Sequence, residues 1–148
     1  MILPQRRITL NHLIMNRSYF LLFAGIYAVF LAATMLFLTE SSLLNYGVPR
    51  VDVDHIAIKQ FLGIANGALG LMTLLNRNQP NSYPFRTLLL AQAGSILAGI
   101  VAGVYHVLVL HVPFSTFFVA DSLFRLALGL GVAYYYTQAT REAAALRG

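Results

Sequence analysis

Residues 87–120, TLLLAQAGSILAGIVAGVYHVLVLHVPFSTFFVA, contain no Asp, Glu, Lys or Arg. As one straight helix at 1.5 Å per residue the stretch would reach about 50 Å, against a bilayer hydrocarbon core of about 30 Å. It is too long for one membrane crossing and has to turn. The turn is expected at His111-Val112-Pro113, because proline ends one helix and suits the first turn of the next. The reading divides the stretch between two spans, about 87–110 and about 114–136.

Outward from there, two more spans precede it. Residues 18–39, SYFLLFAGIYAVFLAATMLFLT, are uncharged between Arg17 and Glu40 and cover the hydrocarbon core once. A cleavable signal peptide would have a shorter apolar core followed by a mature soluble domain, so this segment reads as a retained span. The second span, about 55–75, carries Lys59 and Gln60 near its start, where a lysine stem reaches toward headgroups, and Asp54 stands at the expected N-cap. The fold class expected is all-α: a single membrane domain, residues 1–148, built as a four-transmembrane-helix bundle. The composition agrees, with 58% hydrophobic and 10% charged residues, where soluble domains carry roughly 25% charged. The four spans leave little chain for a separate soluble domain.

Orientation follows from the basic residues, which are retained on the cytoplasmic side. Arg6, Arg7, Arg17, Arg77, Arg86, Arg141 and Arg147 fall on one side, and Arg50 and Lys59 on the other. Both termini are therefore expected in the cytoplasm, with Tyr19, Tyr83 and Tyr134-Tyr135-Tyr136 at the same interface as an aromatic belt. Ile8, Leu10, Leu13 and Ile14, among Arg6, Arg7, Asn11 and His12, suit either a short amphipathic helix on that leaflet or a disordered tail. The loop of residues 40–54 has room for a helical turn before Gly47-Val48-Pro49.

Composition also excludes function classes. With no cysteine, disulfides, thiolate metal sites and dithiol redox chemistry are ruled out. The net charge of +5 is spread one or two residues per loop rather than along one face, so no nucleic-acid partner is expected. Paired carboxylates, a nucleophile elbow and a phosphate-binding glycine loop are all missing from the sequence. His55 and His106 share no ligand-spacing motif, so no metal site is expected, and any cofactor is left unassigned.

Spans associate in lipid through close backbone approach, which calls for small residues at four-residue spacing. Gly63 and Gly67 supply it in the second span, and Gly129 and Ala133 in the fourth. The third has Ala91, Ser95, Gly99 and Gly103 on one stripe and Gly94, Ala98 and Ala102 on the next. These faces serve either a self-packed bundle or docking to another subunit. Extending the same lines reaches the polar residues: His106 follows Gly103 toward the end of its span, Lys59 lies four before Gly63, and Asp121 and Arg125 continue to Gly129. Counted from the span ends, Lys59 and His106 lie roughly 6 Å deep, Asp121 roughly 10 Å and Arg125 roughly 16 Å. An intramembrane polar pocket lined by His55, Lys59, His106, Asp121 and Arg125 is the expected site.

Asp121 and Arg125 each cost about 2.5–3.5 kcal/mol at a span centre, and at i, i+4 they pair along one helix. Their roles stay open between a pair that fixes helix rotation, an ion path, a hold on an anionic headgroup, and a contact with a partner's charge. Asn66, Gln92 and Ser95 are expected to donate interhelical hydrogen bonds.

The Phe37-Leu38-Thr39 exit followed by Gly47-Val48-Pro49, the Gly63 to Leu71 stretch closed by Arg77-Asn78, and Asp121 early in the last span resemble a diffuse group of uncharacterised small bacterial four-helix membrane proteins. The resemblance implies the fold and a bacterial inner membrane, and implies no activity. The function expected first is a non-enzymatic accessory or assembly subunit of a larger membrane complex, packing through its small-residue faces. The alternatives are a small homo-oligomeric transporter or channel using the polar pocket, and a membrane-embedded lipid-binding protein or enzyme. The bilayer, other membrane subunits or further copies of the chain are the expected partners.

Overall fold

The computed structural model describes residues 16–146. The expected amphipathic segment at residues 8–14, with Arg6, Arg7 and Arg147, lies outside them. Five helices follow one another: α1 (Arg17–Phe37), α2 (Thr39–Asn45), α3 (Val53–Asn76), α4 (Tyr83–Leu108) and α5 (Thr116–Ala145), with no strand among the described residues. All but the short α2 are long and apolar enough to cross a membrane.

The helix starts are set by side-chain caps. Asn16, Asp52, Ser82 and Ser115 each accept a backbone N–H of the following first turn, satisfying a donor that otherwise has no partner. The cap of α3 is thus Asp52 rather than Asp54, because only Asp52 has the extended backbone that swings its carboxylate back onto the His55 N–H, at 2.9 Å. The backbone breaks at Leu38, whose N–H still bonds Thr34, and the chain re-enters a helix as α2, which is longer than the single turn expected. Between α4 and α5 the turn falls at residues 109–115, with His111 at φ 53°. Helix α5 continues well past Tyr136, and its 30 residues extend about 45 Å, beyond a hydrocarbon core of about 30 Å.

Two close helix pairs make the bundle, α1 with α3 and α4 with α5, while α3 and α4 meet only sparsely. Glycines explain the first pair. A Cβ built on Gly25 would stand 2.6 Å from Leu74 Cγ, on Gly63 2.9 Å from Met35 Cβ, and on Gly70 2.8 Å from Ala28 Cβ. These backbones approach as small residues allow. Gly129 does the same in the second pair, with Ile96 and Leu97 each 3.0 Å from its would-be Cβ. Gly67 meets Ala32 at 3.1 Å and Gly103 meets the Phe118 ring at 3.2 Å.

Gly94 and Gly99 differ from these: among the described residues nothing lies within 4 Å of a Cβ at either. The two small-residue stripes of α4 diverge around the helix: Gly94 turns outward, and Gly99 faces the sparse α3/α4 seam. Of the two uses expected for such residues, neither glycine serves packing against another described helix.

The pairs are joined mainly at the end that carries the α3–α4 loop. Leu21, Phe85, Leu89, Ala93, Val132 and Tyr135 form a buried apolar cluster there, with Phe20 packed against it. Polar contacts close the same end: Arg17 donates to the Gln79 carbonyl at 2.9 Å, Ser18 to Asn78 at 2.5 Å and Asn81 to the Ala139 carbonyl at 2.7 Å. Between α3 and α4, the Thr73 hydroxyl donates to Gln92. At the α2 end, Ser115 donates to the Asn45 carbonyl. There Gly47, at φ 96°, runs against the Phe114 and Ser115 backbone, where a Cβ would come within 3.0 Å.

Candidate functional site

The polar residues gather in the other half of the bundle, near α2. Asp121, five residues after the first residue of α5, is the hub. Its Oδ1 accepts the Tyr27 hydroxyl of α1 at 2.5 Å and its Oδ2 accepts the Tyr46 hydroxyl, from the end of α2, at 2.5 Å. Arg125, one turn further along α5, places Nε 2.7 Å from Oδ2. That contact is charge proximity rather than an aligned hydrogen bond, since the same Nε has no hydrogen-bond partner. Arg125 Nη2 instead donates to the Tyr46 oxygen at 2.9 Å. Lys59 of α3 lays its ammonium over the Tyr46 ring, 4.0 Å from the centroid, a cation–π contact. Burial, ahead of all other influences, pushes the Tyr46 phenol well above its ordinary pKa, so it stays a donor to Asp121.

Sequence reasoning placed Lys59, Asp121 and Arg125 together, and the structure does bring them to one place around Tyr46. His106 lies on the wall of the adjoining cleft, exposed, its imidazole making no hydrogen bond among the described residues. His55 is a correction. Its Nδ1 is 2.7 Å from Asp52 Oδ1, so the capping carboxylate holds the imidazole at the start of α3, away from the cleft. Asn66, Gln92 and Ser95 all line the cleft, and Gln92, largely buried, accepts from the Thr73 hydroxyl rather than donating.

The two tyrosines were missed. Tyr27 carried a signal, since a hydroxyl in the middle of an apolar span, away from either interface, has to find a partner inside the protein. Tyr46 carried none, because its place in a loop reads as ordinary.

Two hollows flank this cluster. The larger, about 490 Å³, opens along the α3/α4 seam and extends from Lys59, Tyr46, His106 and Arg125 down to Leu69 and Leu128. Most of its walls are aliphatic or small, including Leu31, Met35, Gly99 and Ala102. The smaller, about 350 Å³, lies between α1, α2 and α5 against Phe30, Phe117, Phe124 and Asp121. Tyr27 and Tyr46 border both hollows. Among the described residues no three His, Asp or Glu side chains converge as a metal site would require.

Compared with protein families, curated proteins and solved structures, the chain has no match in any of the three. The site's chemistry therefore stands on its own geometry. That geometry provides a cavity of ligand size, within the usual ~300–1,000 Å³, mostly apolar along its length, with Asn66, Gln92 and Ser95 interrupting the wall and the charged residues at one end.

Proposed function

We propose that the protein is a membrane-embedded, non-catalytic binding protein that takes a lipid-soluble molecule sideways from the bilayer into the α3/α4 seam. The observation that carries this reading is the cavity of about 490 Å³ where two otherwise well-packed helix pairs part. A helix bundle made only to pack would close that seam, because a void forfeits the dispersion contacts that hold spans together. The small residues of α4 line the opening instead of contacting α3. In this reading both termini lie in the cytoplasm, the Lys59 end of the cleft faces the opposite leaflet, and the membrane is a bacterial inner membrane.

Filling the cavity tests the proposal. Gly99 has open space where a side chain would go, so Gly99→Phe projects into the cleft without displacing packed atoms. Extraction and mass spectrometry of the purified wild type is expected to recover a stoichiometric lipophilic molecule, and Gly99→Phe to lose it while remaining folded. Equal recovery from both proteins, or none from the wild type, overturns the reading.

A second reading is favoured by a different surface. Ala91, Gly94, Ala98 and Ala102 are all exposed along α4, the kind of face that elsewhere in this bundle is pressed against a helix. An accessory subunit docking a partner's span there is the corresponding function. Gly94→Leu would block that docking and leave the isolated bundle intact; loss of co-purifying membrane proteins in this variant supports it, and an unchanged set refutes it.

A further inference from the structure

The charges around the cleft do not balance. Asp121 answers Arg125, and among the described residues the other contact at that range is His55 Nδ1 with the Asp52 carboxylate, so Lys59 has no ion-pair partner there. It also has no hydrogen-bond partner there, although an ammonium offers three donors. Its contact is with the face of the Tyr46 ring, which steadies the charge and uses none of those donors. With Lys59 and Arg125 positive and Asp121 negative, the polar end of the cleft carries one net positive charge. Charges at membrane depth are normally paired.

The surroundings narrow what can answer it. From Lys59 to Leu69 the cleft follows ten residues of α3, about 15 Å, along walls that are mostly aliphatic or small and are interrupted by Asn66, Gln92 and Ser95, a length that a small water-soluble anion would not fill. On the wall opposite, His106 is exposed and its imidazole makes no hydrogen bond among the described residues, so it is available as a second donor or acceptor. We infer that the ligand of this cleft is an anionic amphiphile, with a carboxylate or phosphate head received by Lys59 and an apolar tail lying along the small-residue wall of α4. The assignment rests on the cleft being a binding site, as proposed above. The head forms charge-assisted hydrogen bonds with the ammonium, which are stronger than neutral ones. Arg125, which also borders the cleft, is neutralised by Asp121 and donates to the phenol that Lys59 leans on.

The experiment compares oleic acid with oleyl alcohol, each as a competitor of a fluorescent fatty acid, on the full-length chain in nanodiscs of a neutral lipid. At neutral pH the wild type is expected to prefer the acid by about 10-fold or more, the scale of a hydrogen bond to a charged group. Lys59→Met should abolish that preference by weakening the acid more than the alcohol, while Lys59→Arg retains it, which separates loss of charge from loss of fold. Oleyl phosphate bound in preference to the acid, with the same Lys59 dependence, identifies a phosphate head and supports the inference. If acid and alcohol compete equally in the wild type, the anion assignment is overturned while the cleft remains a binding site. If neither competes and Gly99→Phe changes nothing, the cleft reading fails and this inference falls with it. Displacement of the probe by inorganic phosphate but not by oleic acid overturns the assignment of an amphiphile, since the anion then comes from water.

Discussion

Removing the Asp121 carboxylate should be among the most damaging single changes available in this protein. It accepts two tyrosine hydroxyls and neutralises a guanidinium, and its side chain is 10% exposed against 26% for Arg125. Hydrogen bonds to a charged group contribute about 1.5–3 kcal/mol each, and breaking a buried pair by deleting one member costs about 3–5 kcal/mol, because the other charge is left uncompensated. Asp121→Ala is therefore expected to destabilise the bundle by about 3–5 kcal/mol. Deleting both charges in Asp121→Ala with Arg125→Leu removes the stranded guanidinium and leaves two unsatisfied phenols, so the double variant should recover about 2 kcal/mol of that loss. The ranking runs wild type, double variant, single variant. Reversible unfolding in mixed micelles with increasing SDS, followed by tyrosine fluorescence, measures it. If Asp121→Ala unfolds within about 0.5 kcal/mol of wild type, where unremarkable surface changes fall, the carboxylate does not organise this site. If the double variant is the weaker of the two, the ion pair is not what Arg125 contributes.

Four further outcomes follow from single contacts. Gly70→Leu forces atoms into the Ala28 and Val29 backbone approach, where even a Cβ would stand 2.8 Å from Ala28 Cβ; overpacking of this kind costs about 1–3 kcal/mol, and the same unfolding titration should show it while Gly94→Leu shows nothing. Thr73→Val removes the hydroxyl that ties α3 to Gln92, and the local opening of α3 it permits should raise hydrogen exchange in residues 69–76 about 5-fold, the scale of a ~1 kcal/mol bond. The Asp52 carboxyl is held below the usual carboxylate range, first by the His55 backbone N–H. A depressed folded pKa stabilises above the ordinary value and the benefit is lost as pH falls through the folded one, so amide protection of residues 53–56 should decline on acidification below the ordinary carboxylate range, and Asp52→Ala should be flat there. A reporter fused after Gly148 should be active in the cytoplasm only; activity on the other side contradicts the orientation inferred from the arginines.

The helices were legible because membrane solvent makes the code coarse: uncharged runs of the right length, bounded by Arg17, Glu40 and Arg86 and interrupted by Pro113, leave few choices. The boundaries that slipped are governed by local polar chemistry. Asp52 and Asp54 are equally plausible caps until the backbone angle is known. The end of α5 was placed at Tyr136, although Thr137 to Ala145 has no residue that stops a helix, and hydropathy alone marks only where lipid ends. Helical spacing carries Lys59, Asp121 and Arg125 onto one side of their spans, and the structure sets all three around Tyr46. His55 meets Asp52, the cap three residues before it, a local contact that spacing along a stripe does not register. The small-residue pattern indicated that backbones approach, but it carries no partner: Gly63 found α1, Gly25 and Gly70 joined it unannounced, and Gly94 and Gly99 found nothing. Tyr46 was invisible because its role depends on α2 folding back over the bundle.

The parting of α3 from α4 stands beside an apolar cluster and loop contacts that hold the two helix pairs together at the α3–α4 loop end. On the proposed reading this geometry gives a route of entry from the side: an occupant passes between α3 and α4 while the Arg17, Ser18 and Asn81 contacts stay made, so binding and release need no dismantling of the bundle's closed end.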